Sequence, residues 1–333
     1  MFGGLQTNAL GQIGVVESLI AQHENYIGTQ PSELRGAIKV YAVASCVTRL
    51  YAIYERFVES LLSDFLDSVP ELIPYAYLSE GLKKEYRVGI SHILGKLENE
   101  RYSHLTHENI ILWYHEAISN ESKYRFVTEA LTRHDHNLRL NVVEHLASRI
   151  GLENIRAWLT KSEEITSLYE EQTAIAEQLD AEIRSFIQLR NDAAHGTLEA
   201  LEGRDNLKRY CELIAALVKA LGDYISVSLL KERAQAGRSR KVGVVTEVFE
   251  KAGAYVVRLD AGTVLNRGLQ VHLLGSNYYL SETIVSIQVM GEDVEQLTAE
   301  RDAVEVGLRC NVNPRRNAEL YVDVVNPSLE PTL

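Results

Sequence analysis

The stretch Ile183–Gly196, IRSFIQLRNDAAHG, decides how the larger part of this 333-residue chain folds. Apolar residues recur at helical spacing just before this stretch and in its first half: Leu179, Ile183, Phe186 and Ile187. This spacing predicts an amphipathic helix with one buried face, and Gly196 is expected to end it. The end of the helix then presents four polar residues together: Arg190, Asn191, Asp192 and His195.

The helical repeat limits what this polar group can do alone. Asn191 and His195 stand four residues apart, so one lies a turn above the other. Arg190 points about 100° away from Asn191 and about 140° away from His195. A single helix therefore cannot close a site around Arg190 and His195. A second copy, packed antiparallel about a two-fold axis, would bring two Arg and two His into one cleft, so we expect a homodimer through this helix.

Further helices are predicted on both sides. Residues 7–28 are predicted to form a first helix, which ends at the segment TQPSEL (residues 29–34). Ser32 is a plausible N-cap for a second, long helix over Arg35–Asp67. Leu82–Arg101 is a weaker amphipathic segment, and Asn206–Glu232 carries a continuous apolar stripe. Together these segments predict a helical bundle.

The polar group resembles a known motif. The pattern is Arg190, four residues and His195, with the polar Asn191 directly after the arginine. This pattern is similar to the R-x4-6-H signature of the HEPN superfamily of helical nucleotide-binding and RNase domains. The segment YAVASCVTRLYAIYERFVESLLSDFL fits an earlier helix of that fold, and DHNLRLNVVEHLASRIGL (Asp135–Leu152) resembles the connecting region of bacterial HEPN nucleases from toxin–antitoxin and phage-defence loci. The resemblance covers about Val40–Glu232.

This resemblance implies a metal-independent endoribonuclease that leaves 2′,3′-cyclic phosphate and 5′-hydroxyl ends. The residue types suit that chemistry: histidine, here His195, is the usual general acid or base at neutral pH, and Arg190 can bind phosphate oxygens bidentately. Asn191 would hydrogen-bond His195 or the substrate, and Asp192 would hold Arg190 or face water. The RNA would be tRNA or mRNA. No cofactor and no metal is expected.

Several alternatives stay open at this point. Glu55 either lies near the cleft and orients Arg190, or is a solvated carboxylate beside Arg56. The Arg–His pair could be structural, which would make the domain an inactive HEPN module that dimerises and docks partner proteins or a nucleotide. It could also belong to a toxin masked by an antitoxin or to a defence complex. Many such toxins are inactivated on a Tyr shortly after the His, whereas here Gly196 and Thr197 follow His195.

The character of the sequence changes after Arg233–Lys241, a small, polar, basic run. We place the domain boundary here, with a helical domain over 1–236 and a second domain over 237–333. From Val242 onward, short apolar runs alternate with Gly, Asn, Asp and Pro clusters, which predicts an all-β barrel. The run GVVTEVFEKAGAYVVRLDAGTVLNRGLQVHLLG resembles the second domain of translational GTPases. The expected fold class is α+β, helical bundle first.

Composition excludes some functions. Lys and Arg number 34 against 46 Asp and Glu, a net charge of −12, so no global basic field gathers nucleic acid and any RNA contact needs a local cleft. The absence of a G-x-x-x-x-G-K-[ST] loop argues against a nucleotide hydrolase. His104, His107, His134 and His136 invite a metal hypothesis, but their spacing fits no common site and exposed loop histidines explain them better.

The remaining features favour a cytoplasmic protein. Cys46, Cys211 and Cys310 are scattered and are expected to be packed thiols in a reducing compartment. No continuous apolar run approaches the roughly 20 residues that span a bilayer, and the start MFGGLQTNALGQIG is unlike a signal peptide. We therefore expect no membrane partner.

Overall fold

The computed structural model describes residues 2–119, 124–171, 173–196, 204–300, 304–311 and 314–324. The chain divides into two compact units, the first over Phe2–Ile225 and the second beginning at Ser226. The division falls inside one long helix. A boundary between separately folding domains at residue 236 stays a prediction.

Helices make up the regular structure of the first unit. They are α1 (Gly3–Thr29), α2 (Ser32–Ser68), α3 (Glu80–Leu94), α4 (His107–Ile118), α5 (Glu129–Thr132), α6 (Leu140–Arg149), α7 (Ile155–Leu159), α8 (Glu163–Thr166), α9 (Ile175–His195) and α10 (Arg204–Gln235). Short 3-10 turns at Val69–Glu71, Tyr75–Tyr77 and Glu100–Tyr102 lie in the connections. The predicted helical bundle is confirmed.

The sequence placed the long helices well and some of their ends poorly. Helix α2 begins at Ser32 rather than being capped by it, because Pro31 takes the N-cap position with an extended backbone. The segment predicted over Leu82–Arg101 stops at Leu94, since Gly95 ends the helix and a 3-10 turn follows. Ser79 supplies its N-cap, accepting a hydrogen bond from the Leu82 N–H.

Aromatic packing fixes α9 inside the first unit. Phe186 on α9 is fully buried. Its ring centroid lies 6.3 Å from that of Tyr51 on α2 and 5.3 Å from that of Tyr210 on α10. Buried aromatic pairs at these distances stabilise by about 1 kcal/mol beyond the area that they bury. The C-terminal end of α9 is therefore held by its neighbours on two sides.

Strands make up most of the second unit after the end of α10. They are β1 (Ser239–Phe249), β2 (Ala254–Leu259), β3 (Val264–Asn266), β4 (Gln270–Leu274), β5 (Tyr279–Thr283), β6 (Ser286–Val289), β7 (Glu292–Val294), β8 (Gln296–Thr298), β9 (Val304–Arg309) and β10 (Glu319–Asp323). Eight of them form one sheet in the order β5-β4-β10-β1-β2-β9-β6-β7, and β3 pairs with β8.

Neighbouring strands of this sheet are antiparallel, and alternate residues point into a common core. Tyr255, Val257 and Leu259 of β2, for example, are fully buried, as their spacing of two predicts. The chain thus has the expected α+β architecture, a helical region followed by an antiparallel β domain. The similarity of this β domain to the second domain of translational GTPases stays a prediction.

The three cysteines are buried and free. Burial raises the pKa of the Cys46 and Cys310 thiols and raises that of Cys211 to about 12. Cys310 Sγ lies 3.1 Å from the Tyr255 hydroxyl in the β core. Packed thiols, as the sequence predicts, are what the structure contains.

Two helices are long and apolar enough, by length and average composition, to cross a membrane: Ser32–Glu71 with a mean hydropathy of 1.2 and Asp205–Gln235 with 1.7. In the second, 78% of the apolar window is buried inside the protein, and in the first 33% is. A core helix of a soluble protein meets the same criterion, so this is weak evidence for a membrane span. Neither helix contains a continuous apolar run of the roughly 20 residues that span a bilayer, and the structure is compatible with a soluble protein.

A close approach between α3 and α5 yields the first prediction. A Cβ added at Gly89 would overlap the Ala130 carbonyl oxygen, whereas one at Gly81, in the same helix, would meet nothing closer than Ser79 Oγ at 3.9 Å. Gly89→Ala should therefore destabilise the helical unit by about 1–3 kcal/mol. Gly81→Ala should be neutral or stabilise it by up to about 1 kcal/mol. Urea unfolding followed by circular dichroism at 222 nm measures both; equal effects would contradict the close approach.

A polar cluster around the carboxylate of Asp323 in the second unit makes the stability of that unit depend on pH. Asp323 Oδ1 accepts a hydrogen bond from Ser239 Oγ at 2.6 Å and lies 3.1 Å from Arg233 Nη2 and 3.5 Å from His272 Nε2. Burial alone would raise the pKa of Asp323, but the nearby His272 imidazole, the hydrogen bond from Ser239 and the charge of Arg233 hold it well below its usual value.

Because its pKa is lower in the folded protein, the Asp323 carboxylate stabilises the fold above about pH 4, its unfolded-state value, and this contribution is lost as the pH falls further. Asp323→Asn should lower the unfolding temperature of the β domain at pH 7. The difference from wild type should shrink between pH 4 and pH 2. Thermal melts across this range test it, with Asp293→Asn, at an exposed position of β7, as the control that should change little at any pH.

Candidate functional site

The candidate site lies where α9 ends. Gly196 caps the helix in the left-handed conformation with φ of 72°, and its N–H is directed to the Ala193 and Asp192 carbonyls. A residue with a Cβ is strained at such a φ, so glycine is the residue that this ending favours. The predicted helix end is confirmed, and it leaves His195 as the last helical residue, exposed to solvent.

Arg190 is held by three neighbours. Its Nη1 donates to Asn137 Oδ1 and to Asn191 Oδ1, both at 3.2 Å, and its Cζ lies 4.4 Å from the centroid of the Tyr51 ring. Its Nε is buried and makes no hydrogen bond. The guanidinium has five N–H donors and uses one nitrogen for both bonds, so it keeps capacity for an anion. Stacking on Tyr51 adds about 1 kcal/mol or more of attraction.

Tyr51 connects Arg190 to Glu55. The Tyr51 side chain is buried. Its hydroxyl donates a hydrogen bond to Glu55 Oε1 at 3.0 Å, and the hydroxyl oxygen of Tyr51 accepts one from the Leu138 N–H at 3.1 Å. Burial raises the pKa of this phenol far above its ordinary value, so it acts as a hydrogen-bond donor. Glu55 is half-buried, and its hydrogen bond is to the tyrosine whose ring lies against Arg190. We refer to Tyr51, Glu55, Asn137, Arg190 and Asn191 as the Arg190 cluster.

The predicted site residues are only partly brought together. Asn191 Oδ1 accepts from Arg190 and also from Asn137 Nδ2 at 3.1 Å, while Asp192 Oδ1 accepts from Gln188 Nε2 at 2.9 Å. No hydrogen bond or ion pair between Arg190 and His195 is found in the described part of the chain. The imidazole sits one turn, about 6 Å along the axis, beyond Asn191. A single chain therefore leaves the Arg and the His apart, as the helical repeat requires.

Sequence reasoning missed a second polar group beside the cluster, the pair formed by His134 and Glu59. His134 Nε2 lies 3.0 Å from Glu59 Oε1, its Nδ1 lies 2.8 Å from the His136 carbonyl oxygen, and Arg101 Nη2 is 2.6 Å from Glu59. The hydrogen bond to Glu59 raises the pKa of His134, although burial opposes it. The expectation of an exposed loop histidine is wrong for His134, whose side chain is 8% exposed. One available signal was the four-residue spacing of Tyr51, Glu55 and Glu59 along α2.

No group of three or more His, Cys, Asp or Glu among the described residues has the geometry to hold a metal ion. Two of the four histidines considered from sequence are instead paired with carboxylates: His104 Nε2 with Glu129 Oε1 at 2.6 Å, and His134 with Glu59. Their hydrogen bonds explain these positions without a ligand.

The helical unit, with an Arg and a His on the last turns of one long buried helix, has the features of a HEPN-type domain. Residues 16–227 match the family model described as RiboL-PSP-HEPN, and this match spans well over half of the chain. The chain belongs to the RiboL-PSP-HEPN family. The match contains the whole Arg190 cluster and His195.

Other comparisons add little. No curated protein matches the chain. The C-terminal domain of a putative U32 peptidase from Geobacillus thermoleovorans shares 15% identity over 26% of this chain and 92% of that chain, and its selenomethionine variant shares 13% over 24% and 96%. Both superpositions have a TM-score of 0.22, which carries no argument about this protein.

Two neighbouring tyrosines of α2 provide a matched test of the cluster. The hydroxyls of Tyr51 and Tyr54 are both buried, but that of Tyr51 makes two hydrogen bonds and that of Tyr54 makes none. Tyr51→Phe leaves the buried Leu138 N–H without an acceptor and should cost about 1–3 kcal/mol of stability. Tyr54→Phe removes an unpaired hydroxyl and should be neutral or stabilising. Denaturant unfolding compares the two; an equal loss would argue against the bridging role of Tyr51.

Proposed function

We propose that this protein is a metal-independent endoribonuclease of the HEPN type, with Arg190 and His195 as catalytic residues and Asn191 between them. The observation that carries the proposal is the placement of Arg190. Its guanidinium is positioned by Asn137, Asn191 and the Tyr51 ring, yet keeps unused donors, on the same helix end as an exposed imidazole. Membership of a HEPN family supports this assignment.

The chemistry follows from the substrate. In RNA, the 2′-oxygen forms a bond to the adjacent phosphorus while the bond from phosphorus to the 5′-oxygen breaks. A base takes the 2′-hydroxyl proton and an acid protonates the leaving 5′-oxygen, which gives a 2′,3′-cyclic phosphate and a 5′-hydroxyl. Imidazole can fill either role near neutral pH. Arg190 would stabilise the charge that develops on the non-bridging oxygens.

A dimer would supply what one chain lacks. One helix end provides a single imidazole, directed away from its own Arg190, whereas the reaction uses both an acid and a base. Two α9 helices packed antiparallel would place two His195 and two Arg190 around one phosphate. The homodimer, the choice of tRNA or mRNA as substrate, the cytoplasmic location and an antitoxin or defence-complex partner all belong to this proposal. Within it, the β domain serves as a docking module.

One observation favours a second candidate function. Arg190 is already engaged by Asn137, Asn191 and Tyr51, which is what a purely structural arginine would do. The domain would then be an inactive HEPN module that dimerises and docks partner proteins or a nucleotide. Cleavage and its dependence on His195 separate the two candidates, because the exposed His195 side chain makes no hydrogen bond or ion pair with the described residues.

The decisive prediction concerns single substitutions on α9. His195→Ala should reduce cleavage of total tRNA or mRNA in EDTA by at least about 10²-fold, the usual contribution of a general acid or base. Stability should change by less than about 0.5 kcal/mol because the side chain is exposed. Arg190→Ala should also abolish cleavage, with some loss of stability from its lost contacts. Gel electrophoresis with end-group analysis reads out cyclic-phosphate termini.

The matched control is Arg184→Ala, which removes an arginine from the same helix that is 58% exposed and, among the described residues, forms its ion pair with Asp180. Its cleavage rate should equal that of wild type. Full cleavage by His195→Ala, or intact RNA with the wild-type protein under all conditions, would reject the nuclease and favour the binding module.

A further inference from the structure

A polar cavity lies on the helical unit beside the Arg190 cluster. It encloses about 350 Å³, a size in the range of small-molecule sites. Six of its lining residues are histidine or arginine: His92, Arg133, His134, His136, His145 and Arg149. Asp135 is the one carboxylate among the lining residues. We call this cavity the histidine cleft. Its composition contrasts with the net charge of −12 of the chain.

The floor of the cleft holds a cation whose hydrogen bonding is incomplete. The Arg149 side chain is 9% exposed, and its Nη1 donates to the carbonyl oxygens of Leu131 at 3.0 Å and Arg133 at 2.7 Å. Its Nε is buried without a hydrogen bond, 3.4 Å from Glu85 Oε2. Burial, and then the neighbouring Arg133, lower the pKa of Arg149. The ion pair with Glu85 offsets part of the charge of Arg149 but does not supply a hydrogen-bond acceptor for Nε, so this end of the cleft favours a further acceptor.

Arg133 adds a second guanidinium to the same floor. Its Nη2 lies 3.7 Å from Glu85 Oε2, so one half-exposed carboxylate faces two arginines. Burial, then the charges of Lys96 and Arg133, lower the pKa of His92 on the adjacent wall. The field in the cleft therefore disfavours a further cation and favours an anion.

The rim supplies imidazole donors for a ligand, but His134 is not one of them. Both of its ring nitrogens are engaged, by Glu59 and by the His136 carbonyl. The rings of His136 and His145 are exposed at the mouth, and neither makes a hydrogen bond in the described chain. A ligand entering the cleft would thus meet imidazole donors first and the guanidinium groups deeper.

We propose that the histidine cleft binds a phosphate group of a nucleic-acid strand that continues to Arg190. Phosphate has several acceptor oxygens for donors arriving from different directions, and arginine suits it. The connection is short: Asn137, which binds Arg190, is three positions after His134 in the cleft wall, so their Cα atoms are at most about 11 Å apart. The identity of the strand as substrate rests on the proposed function; binding of phosphate in the cleft does not.

The test measures binding apart from cleavage. A fluorescent 2′-O-methyl RNA lacks the nucleophile and cannot be cut, so its anisotropy reports affinity alone. His145→Glu places a negative charge at the mouth of the cleft and should weaken binding about tenfold. It should also reduce the slope of log affinity against log salt by about 1. His107→Glu makes the same charge change at an exposed position outside the cleft and should bind like wild type.

Inorganic phosphate distinguishes a strand from a free ion. If phosphate raises the melting temperature of wild type but not of His145→Glu, while the affinity for the RNA is the same in both, the cleft binds free phosphate and the strand assignment is overturned. Equal RNA affinity together with no phosphate effect would overturn the site altogether. His145-dependent binding of 2′-O-methyl RNA supports it, even if natural RNA stays uncut and the nuclease proposal fails.

Discussion

The buried hydroxyl of Tyr51 is the interaction on which the arrangement of the helical unit depends. It joins α2 to the chain segment around Leu138 by accepting a backbone hydrogen bond, and it joins Glu55 to the same point by donating one. The Tyr51 ring packs against Phe186 of α9, and the guanidinium of Arg190, also on α9, stacks on this ring. Because the bond from the Leu138 N–H is buried, it is shielded from competing water. The position of the arginine is thus set by the core.

The sequence predicted those parts of the structure that are set by local periodicity. The helix through Ile183–Gly196 and its ending at a left-handed glycine follow from spacing, as do the alternating buried residues of the strands. The partners of Arg190 do not, because Asn137 lies 53 residues away and the bond from Leu138 to Tyr51 spans 87. Such contacts depend on how helices pack. The strand order β5-β4-β10-β1-β2-β9-β6-β7 likewise has no local signal.

Charge in this protein is organised over short distances. A net charge of −12 gives no long-range attraction for a polyanion, yet cationic and donor groups concentrate on the segment 133–137 and its neighbours. Across this segment, His134 is fixed by Glu59 and Asn137 is fixed by Arg190. Two sites with separate donors therefore share one stretch of backbone. The net negative charge of the chain would disfavour nucleic acid that approaches elsewhere.

The packing of the three cysteines has a practical consequence for chemical labelling. Each thiol is buried, and burial disfavours the thiolate that reacts with maleimides and oxidants. The native protein should therefore tolerate oxidising conditions and remain unlabelled while folded. A cysteine introduced at an exposed position can carry a single fluorophore or spin label without removal of the natural ones. The distance between labels on α9 would then test the proposed dimer in the otherwise unaltered chain.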